Sequence, residues 1–211
     1  MVKAATTRRR PAQERARATR EHILDTAARL FGERGIANTS TNRIATEAGV
    51  SIGTVYRYFA DRDVIVDELL ERMMNNIEGR FSEVSAQVGT QTLPELMSSI
   101  LHAVSSELVD NAGLVRALVA GLQFYSTAIP EFEPRMRARV VDLLEQVLGP
   151  ATAGNTYDMM AAVGVNTCFA AVLRTLAHEF DDRQRARVLA ATGEMITAWI
   201  RKQPGAFATG I

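Results

Sequence analysis

Residues 40–59 read STNRIATEAGVSIGTVYRYF. Ile44, Ala45 and Ala48 recur at helical spacing and give one short apolar face. Gly49 then breaks the pattern. Val50 and Ser51 follow, and a second short segment from Ile52 to Phe59 returns to helical spacing. Two short helices joined by a tight turn containing glycine form a helix-turn-helix. Gly49 supplies a backbone conformation that a β-carbon obstructs. Ala45 is small enough for two helices to cross closely, and Ile44, Val50 and Val55 can meet as a miniature core. Ser40 and Thr41 suit a first helix start and Ser51 a second, because a hydroxyl accepts from an otherwise unpaired amide.

The second helix is the one that reads. Ile52, Gly53, Thr54, Tyr56, Arg57 and Tyr58 are expected on its surface, with Val55 and Phe59 turned to the core. Thr54 suits a base edge or a thymine methyl. Tyr56 and Tyr58 carry hydroxyls for phosphate oxygens, and Arg43 and Arg62 carry charge for them. Gly53 costs about 1 kcal/mol inside a helix, and close approach to a DNA backbone is a reason to keep it.

Outward from this stretch the chain stays helical. Ile23, Leu24, Ala27, Leu30 and Phe31 form an apolar stripe that Gly35 ends. Helical patterns continue from Val64 to Phe81, Leu93 to Leu108, Leu114 to Tyr125, Glu131 to Leu148, Thr156 to Phe180 and Arg183 to Lys202. Strand alternation is nowhere sustained. The expectation is an all-α fold of about nine helices. It has a basic, disordered tail over 1–18, a helix-turn-helix domain over 19–66 and a helical regulatory and dimerisation domain over 67–211.

Phe31, Gly35, Thr39-Ser40-Thr41, Ile44-Ala45, Ala48-Gly49-Val50-Ser51, Gly53-Thr54-Val55-Tyr56 and Tyr58-Phe59 together resemble the DNA-binding domain of the TetR family of regulators. The resemblance covers about residues 20–66. It departs at Ile52, where many relatives carry a lysine before the glycine, so one phosphate contact is lost. It departs again at Ala60-Asp61-Arg62, where Pro-Ser-Lys is common and Arg62 keeps the positive charge.

The resemblance implies a homodimer on a pseudopalindromic operator of double-stranded DNA, with a ligand cavity among the middle helices. The dimer would form through the last two long helices. Met97, Leu101, Leu118, Leu122, Phe124, Tyr125, Met160, Asn166 and Phe169 lie on the helices expected to hold that ligand. Charge is sparse there, which suits a small apolar or aromatic molecule. Ala170, Leu173, Ala177, Val188, Thr192, Met195 and Trp199 supply small and apolar surfaces for the partner chain. The expected mechanism is a repressor released by its ligand. A regulator without a ligand, or an activator, is the alternative, and a helical enzyme or adaptor is a more distant one.

Charge agrees with a polyanionic partner at one end. The net charge is zero, but residues 1–62 carry 12 Lys and Arg against 6 Asp and Glu, while residues 63–211 carry 12 against 18. The arginines at 8–10 read either as a solvated tail or as an arm that follows phosphates. No run approaches the roughly 18 apolar residues of a membrane helix, and no apolar core marks a secretory signal. A cytoplasmic protein without cofactors is therefore expected. His22, His102 and His178 lack metal-site spacing, the serines lack a nucleophile-elbow motif, and the single Cys168 reads as a small buried apolar residue.

Overall fold

The computed structural model describes residues 9–120, 129–150, 157–177 and 180–203. These hold nine helices and no strand: α1 (Arg9–Arg34), α2 (Thr41–Glu47), α3 (Ile52–Tyr58), α4 (Arg62–Ser85), α5 (Leu93–Asp110), α6 (Ala112–Ala120), α7 (Ile129–Leu148), α8 (Tyr157–Ala177) and α9 (Asp182–Arg201). The fold is all-α, as the periodicity predicts. The chain divides into two compact units, residues 1–70 and 71–211.

The first unit is a helix-turn-helix around one core. Ile23, Leu24, Ala27, Leu30 and Phe31 of α1 are buried together with Ile44 and Ala45 of α2, Val55 of α3, Phe59, and Ile65 and Leu69 of α4. Phe31 and Phe59 are fully enclosed, and each such side chain contributes about 1.5–3 kcal/mol by leaving water. Gly35 closes α1 with φ +82°. Thr39, which the sequence places in a capping cluster, instead locks this turn. It is fully buried, and its hydroxyl donates to the Gly35 carbonyl at 2.9 Å.

One boundary differs from expectation. α1 begins at Arg9, ten residues inside the tail expected to be disordered. Arg, Ala, Gln and Glu are good helix formers, and Pro11 falls in the first turn, where its missing N–H costs nothing.

The second unit packs α8 against α5, α6, α7 and α9, and α5 against α9. Along Tyr157–Leu176, α8 has a mean hydropathy of 1.5 and is long and apolar enough to cross a membrane by length and composition. That corrects the expectation that no run comes near this threshold. Here Tyr157, Met160, Ala161, Val165, Val172, Leu173 and Leu176 are buried in the bundle.

Polar side chains fasten the second half of α4. The buried Glu107 carboxylate of α5 accepts from Asn76 Nδ2 and Arg80 Nε, both at 2.9 Å. Glu78 of α4, also buried, accepts from Arg139 Nε of α7 at 3.0 Å, and Arg135 Nη2 lies 2.7 Å from its other oxygen. Charge-assisted pairs of this kind fix helix register more than they add stability.

Candidate nucleic-acid interface

The turn that aims α3 is built from backbone hydrogen bonds. Val50 N–H donates to the Ala45 carbonyl at 3.0 Å and Gly49 N–H to the Thr46 carbonyl at 3.2 Å. Gly49 stands at φ +64°. This double bond pattern around a left-handed residue is a Schellman motif, so the chain leaves α2 in one fixed direction. His22 braces the same turn from α1, its Nε2 lying 3.1 Å from the Ala48 carbonyl. In the sequence His22 is one scattered histidine, and only the crossing of α1 over the turn gives it a role.

Both short helices are capped by serine. Ser40 Oγ accepts from Arg43 N–H at 3.3 Å, and Ser51 Oγ accepts from Thr54 N–H at 3.1 Å. Ser51 Oγ also lies 2.8 Å from Thr54 Oγ1, so the hydroxyl that could meet a base is held in place by the cap. Val55 is fully buried and anchors α3 from behind.

The opposite side of α3 is open. Tyr56 is 52% exposed, and its hydroxyl lies 3.3 Å from Thr41 Oγ1. Arg57 is exposed and Tyr58 half-buried, with the Arg57 guanidinium 5.0 Å over the Tyr58 ring. Ile52 is half-buried, and Gly53 and Arg43 are exposed. A β-carbon at Gly53 would meet nothing nearer than Ser51 Oγ at 3.9 Å. The chain's own packing thus gives no reason for this glycine.

Arg62 is the exception among the expected phosphate contacts. Its Nη1 turns back to donate to the Ile36 carbonyl at 3.1 Å and the Ala37 carbonyl at 3.4 Å. The Ile36 carbonyl also accepts from Thr39 N–H at 3.2 Å, so Arg62 adds to the bonds that close the α1–α2 loop. Arg20 does comparable work that the sequence did not single out. It pairs with Glu68 and lies 5.3 Å over the Phe59 ring.

The second unit holds a partly open cavity of about 90 Å³ among α4, α5, α7, α8 and α9. Of the residues expected to hold a ligand, Met97, Met160 and Phe169 line it. So do Phe81, Phe132, Met136 and Cys168, and Phe132 stacks on Phe169 with ring centroids 5.5 Å apart. No lining side chain is charged. The volume would hold several waters, but too few polar partners face them. Burial pushes the Cys168 thiol up to about 11, so it stays protonated at neutral pH.

Other expected ligand residues lie elsewhere. Leu101 and Leu118 are buried but do not line the cavity. Asn166 is exposed and donates to the Ala162 carbonyl at 2.8 Å, because its position on α8 faces away from the bundle. Leu122, Phe124 and Tyr125 lie outside the described residues.

The residues expected at a partner face divide in the same way. Met195 is 55% exposed and Ala170 is exposed. Leu173 and Thr192 are buried within the chain, Thr192 donating to the Val188 carbonyl at 2.8 Å, and Val188 is half-buried. Trp199 is half-buried and lines the cavity. Ala177 ends α8, and its side chain lies outside the described residues. Two residues missed from sequence join the exposed set on α8, Met159 at 63% and Val163 at 43%.

A family model for bacterial regulatory proteins of the tetR family matches residues 23–69. The chain carries a tetR-family N-terminal domain. The HTH-type transcriptional regulator AcrR of Shigella flexneri is 34% identical over 101 residues, 48% of this chain and 47% of AcrR. An HTH-type transcriptional regulator of Staphylococcus aureus is 32% identical over 112 residues, 52% of this chain and 60% of that protein. The chain thus spans about half to three fifths of these relatives. The fold extends further than the sequence similarity. A tetR-family regulator structure from Syntrophomonas wolfei covers 86% of this chain and is itself covered to 96%, with a TM-score of 0.70 and 20% identity. The tetR-family repressor FadR of Thermus thermophilus, in complex with lauroyl-CoA, covers 84% of the chain and is covered to 92%, with a TM-score of 0.60 and 19% identity.

Proposed function

We propose that this protein is a cytoplasmic, dimeric transcriptional repressor, not an enzyme. In this reading it binds a pseudopalindromic operator through α3 and is released by a small apolar or aromatic ligand. The observation that carries the reading is Gly53, a glycine on the exposed side of the first turn of the seven-residue α3, which the fold itself does not require. Close approach to a DNA backbone accounts for it. Thr54, Tyr56, Arg57 and Tyr58 flank it with donors for base edges and phosphates.

Two further features support the remainder. The uncharged cavity, walled by three flexible methionines, suits an apolar body that differs from one ligand to another. Lauroyl-CoA in the Thermus thermophilus repressor supplies one such body in its acyl chain. Exposed Met159, Val163 and Met195 on α8 and α9 form an apolar surface for a second copy. Two copies place two reading helices on half-sites one helical turn, or a multiple, apart. A ligand that prefers a conformation with misplaced reading helices shifts the population off DNA, and DNA must weaken the ligand by the same factor.

Selection from a random duplex pool followed by fluorescence anisotropy tests the DNA reading. The selected site is expected to be an inverted repeat, and Gly53→Glu, Thr54→Ala and Tyr56→Ala to weaken binding by tenfold or more. Undiminished binding by all three variants would remove α3 from the interface. The neutral fluorophore N-phenyl-1-naphthylamine tests the cavity. Its emission should rise on binding and fall again when operator is added.

A further inference from the structure

The first turns of α1 have no role in the fold. Residues 13–18 are exposed on every side, and the buried face of the helix begins only at Ile23. The matched family region also begins at residue 23, so the extension lies ahead of it. Residues 9–20 contain five arginines against one glutamate, a net of +4. No acidic residue occupies the first turn.

Arg9 and Arg10 fall in the first turn of α1, the positive pole of the helix, where a cation is unfavourable; Arg15, Arg17 and Arg20 follow within the next three turns. Residues 13–18 thus extend α1 beyond its buried face, and few packing contacts resist fraying there.

Its place in the fold is informative. His22 fastens α1 to the Ala48 carbonyl in the helix-turn-helix turn, and Arg20 lies over Phe59 at the end of α3. The extension thus leaves the domain beside the segment that aims α3. Arg17 stands one and a half turns before His22, about 7.5 Å along the axis, and Arg15 a further half turn. Both are fully solvent-facing, and among the described residues neither makes an ion pair.

We propose that residues 9–20 form a basic arm that grips the phosphate backbone of the duplex beside the site read by α3, and that DNA completes the arm's helix. The inference rests on the reading of α3 given above. The phosphates offset the repulsion among the clustered arginines, so helix and contact strengthen together. The contact is independent of sequence, since it touches phosphate and no base edge.

The test uses the whole protein with Arg15→Ala and Arg17→Ala together, and a matched Arg15→Lys, Arg17→Lys variant. Both change exposed positions to good helix formers, so thermal melting should be unchanged or slightly improved. Binding is measured on the selected operator and on a scrambled duplex of equal length, from 50 to 300 mM KCl. Each lost phosphate contact should flatten the log–log salt slope by about 0.9, so the double alanine variant should lose up to about 2 from the slope. Its affinity at low salt should fall by a similar factor on both duplexes, and the lysine variant should behave as the parent. Amide exchange over residues 13–18 should slow on DNA and recover in high salt. An unchanged slope or unchanged exchange, in a protein that still binds operator, overturns the arm alone. A parent protein that binds neither duplex overturns both the arm and the reading of α3.

Discussion

At Gly53 stability and function are set against each other. A methyl group there has room, since Ser51 Oγ is 3.9 Å away, and alanine is better than glycine in a helix, by about 1 kcal/mol in the interior and less in this first turn. Gly53→Ala should therefore raise the melting temperature while weakening operator binding by about tenfold or more, because the new β-carbon stands where DNA approaches. Differential scanning calorimetry and anisotropy on the same preparation check the opposite signs, and parallel changes would remove the argument. Gly49→Ala should behave in the other way. Its φ of +64° puts a β-carbon in the left-handed region, which costs about 1–2 kcal/mol, so stability and binding should fall together.

Cys168 gives a second measurement at the same scale. Its thiol is pushed up to about 11 by burial, whereas the unfolded chain ionises at ordinary values near 8.5. A raised folded value means that the favourable contribution is complete below the unfolded value and is lost as pH rises through the folded one. Stability should therefore decline between about pH 8.5 and 11 in the parent and less so in Cys168→Ala. Alkylation by iodoacetamide at neutral pH should be slow and should slow further when N-phenyl-1-naphthylamine fills the cavity.

Among elements, the caps carry most of the local specificity. At the start of α5 the Glu95 carboxylate accepts from the Thr92 N–H at 2.8 Å and the Thr92 hydroxyl at 2.7 Å. These bonds, the backbone one first, hold the Glu95 carboxyl below its usual range. The contribution is present above the ordinary carboxylate value and is lost as pH falls through the lowered one. The melting difference between parent and Glu95→Ala should thus be present at pH 7 and be lost only once pH falls below the ordinary glutamate range. Thr92→Ala should cost about 1 kcal/mol at neutral pH.

Elements are also where the sequence is most readable. Gly35, Gly49, Ser40 and Ser51 mark helix ends by chemistry that acts within four residues, so their effect is visible in the order of letters. The start of α1 is harder to read because no residue stops it. Helix formers simply continue toward the N-terminus, and charge alone suggests a tail. The roles of Arg62, His22 and Arg20 depend on which carbonyl or ring a neighbouring helix brings near, and no local pattern records that. Trp199 shows the same limit. Its spacing on α9 fits an apolar stripe, but a stripe wide enough for a partner also has an inner edge, and Trp199 lies on that edge against the cavity.

For the molecule as a whole, the decisive question is whether two copies act together. One seven-residue reading helix offers few base contacts, each worth about 1–3 kcal/mol of discrimination. Half-site recognition by a single copy would be weak, and joining two copies converts the second contact into an intramolecular one. The residues available for this are those that α8 and α9 leave uncovered. Met159 and Val163 lie one turn apart on α8, and Met195 projects from α9 with a relative exposure of 55%. Placing a carboxylate in such a surface leaves it desolvated and unpaired in the dimer, while in the single chain it remains in water. Met159→Glu with Met195→Glu should therefore leave helix content and monomer melting nearly unchanged. It should shift the sedimentation coefficient from dimer to monomer at micromolar concentration and reduce operator affinity by at least about a hundredfold. A variant that still sediments as a dimer would place the interface elsewhere. A monomeric variant that still binds operator at full strength would mean that one reading helix and its basic arm are sufficient.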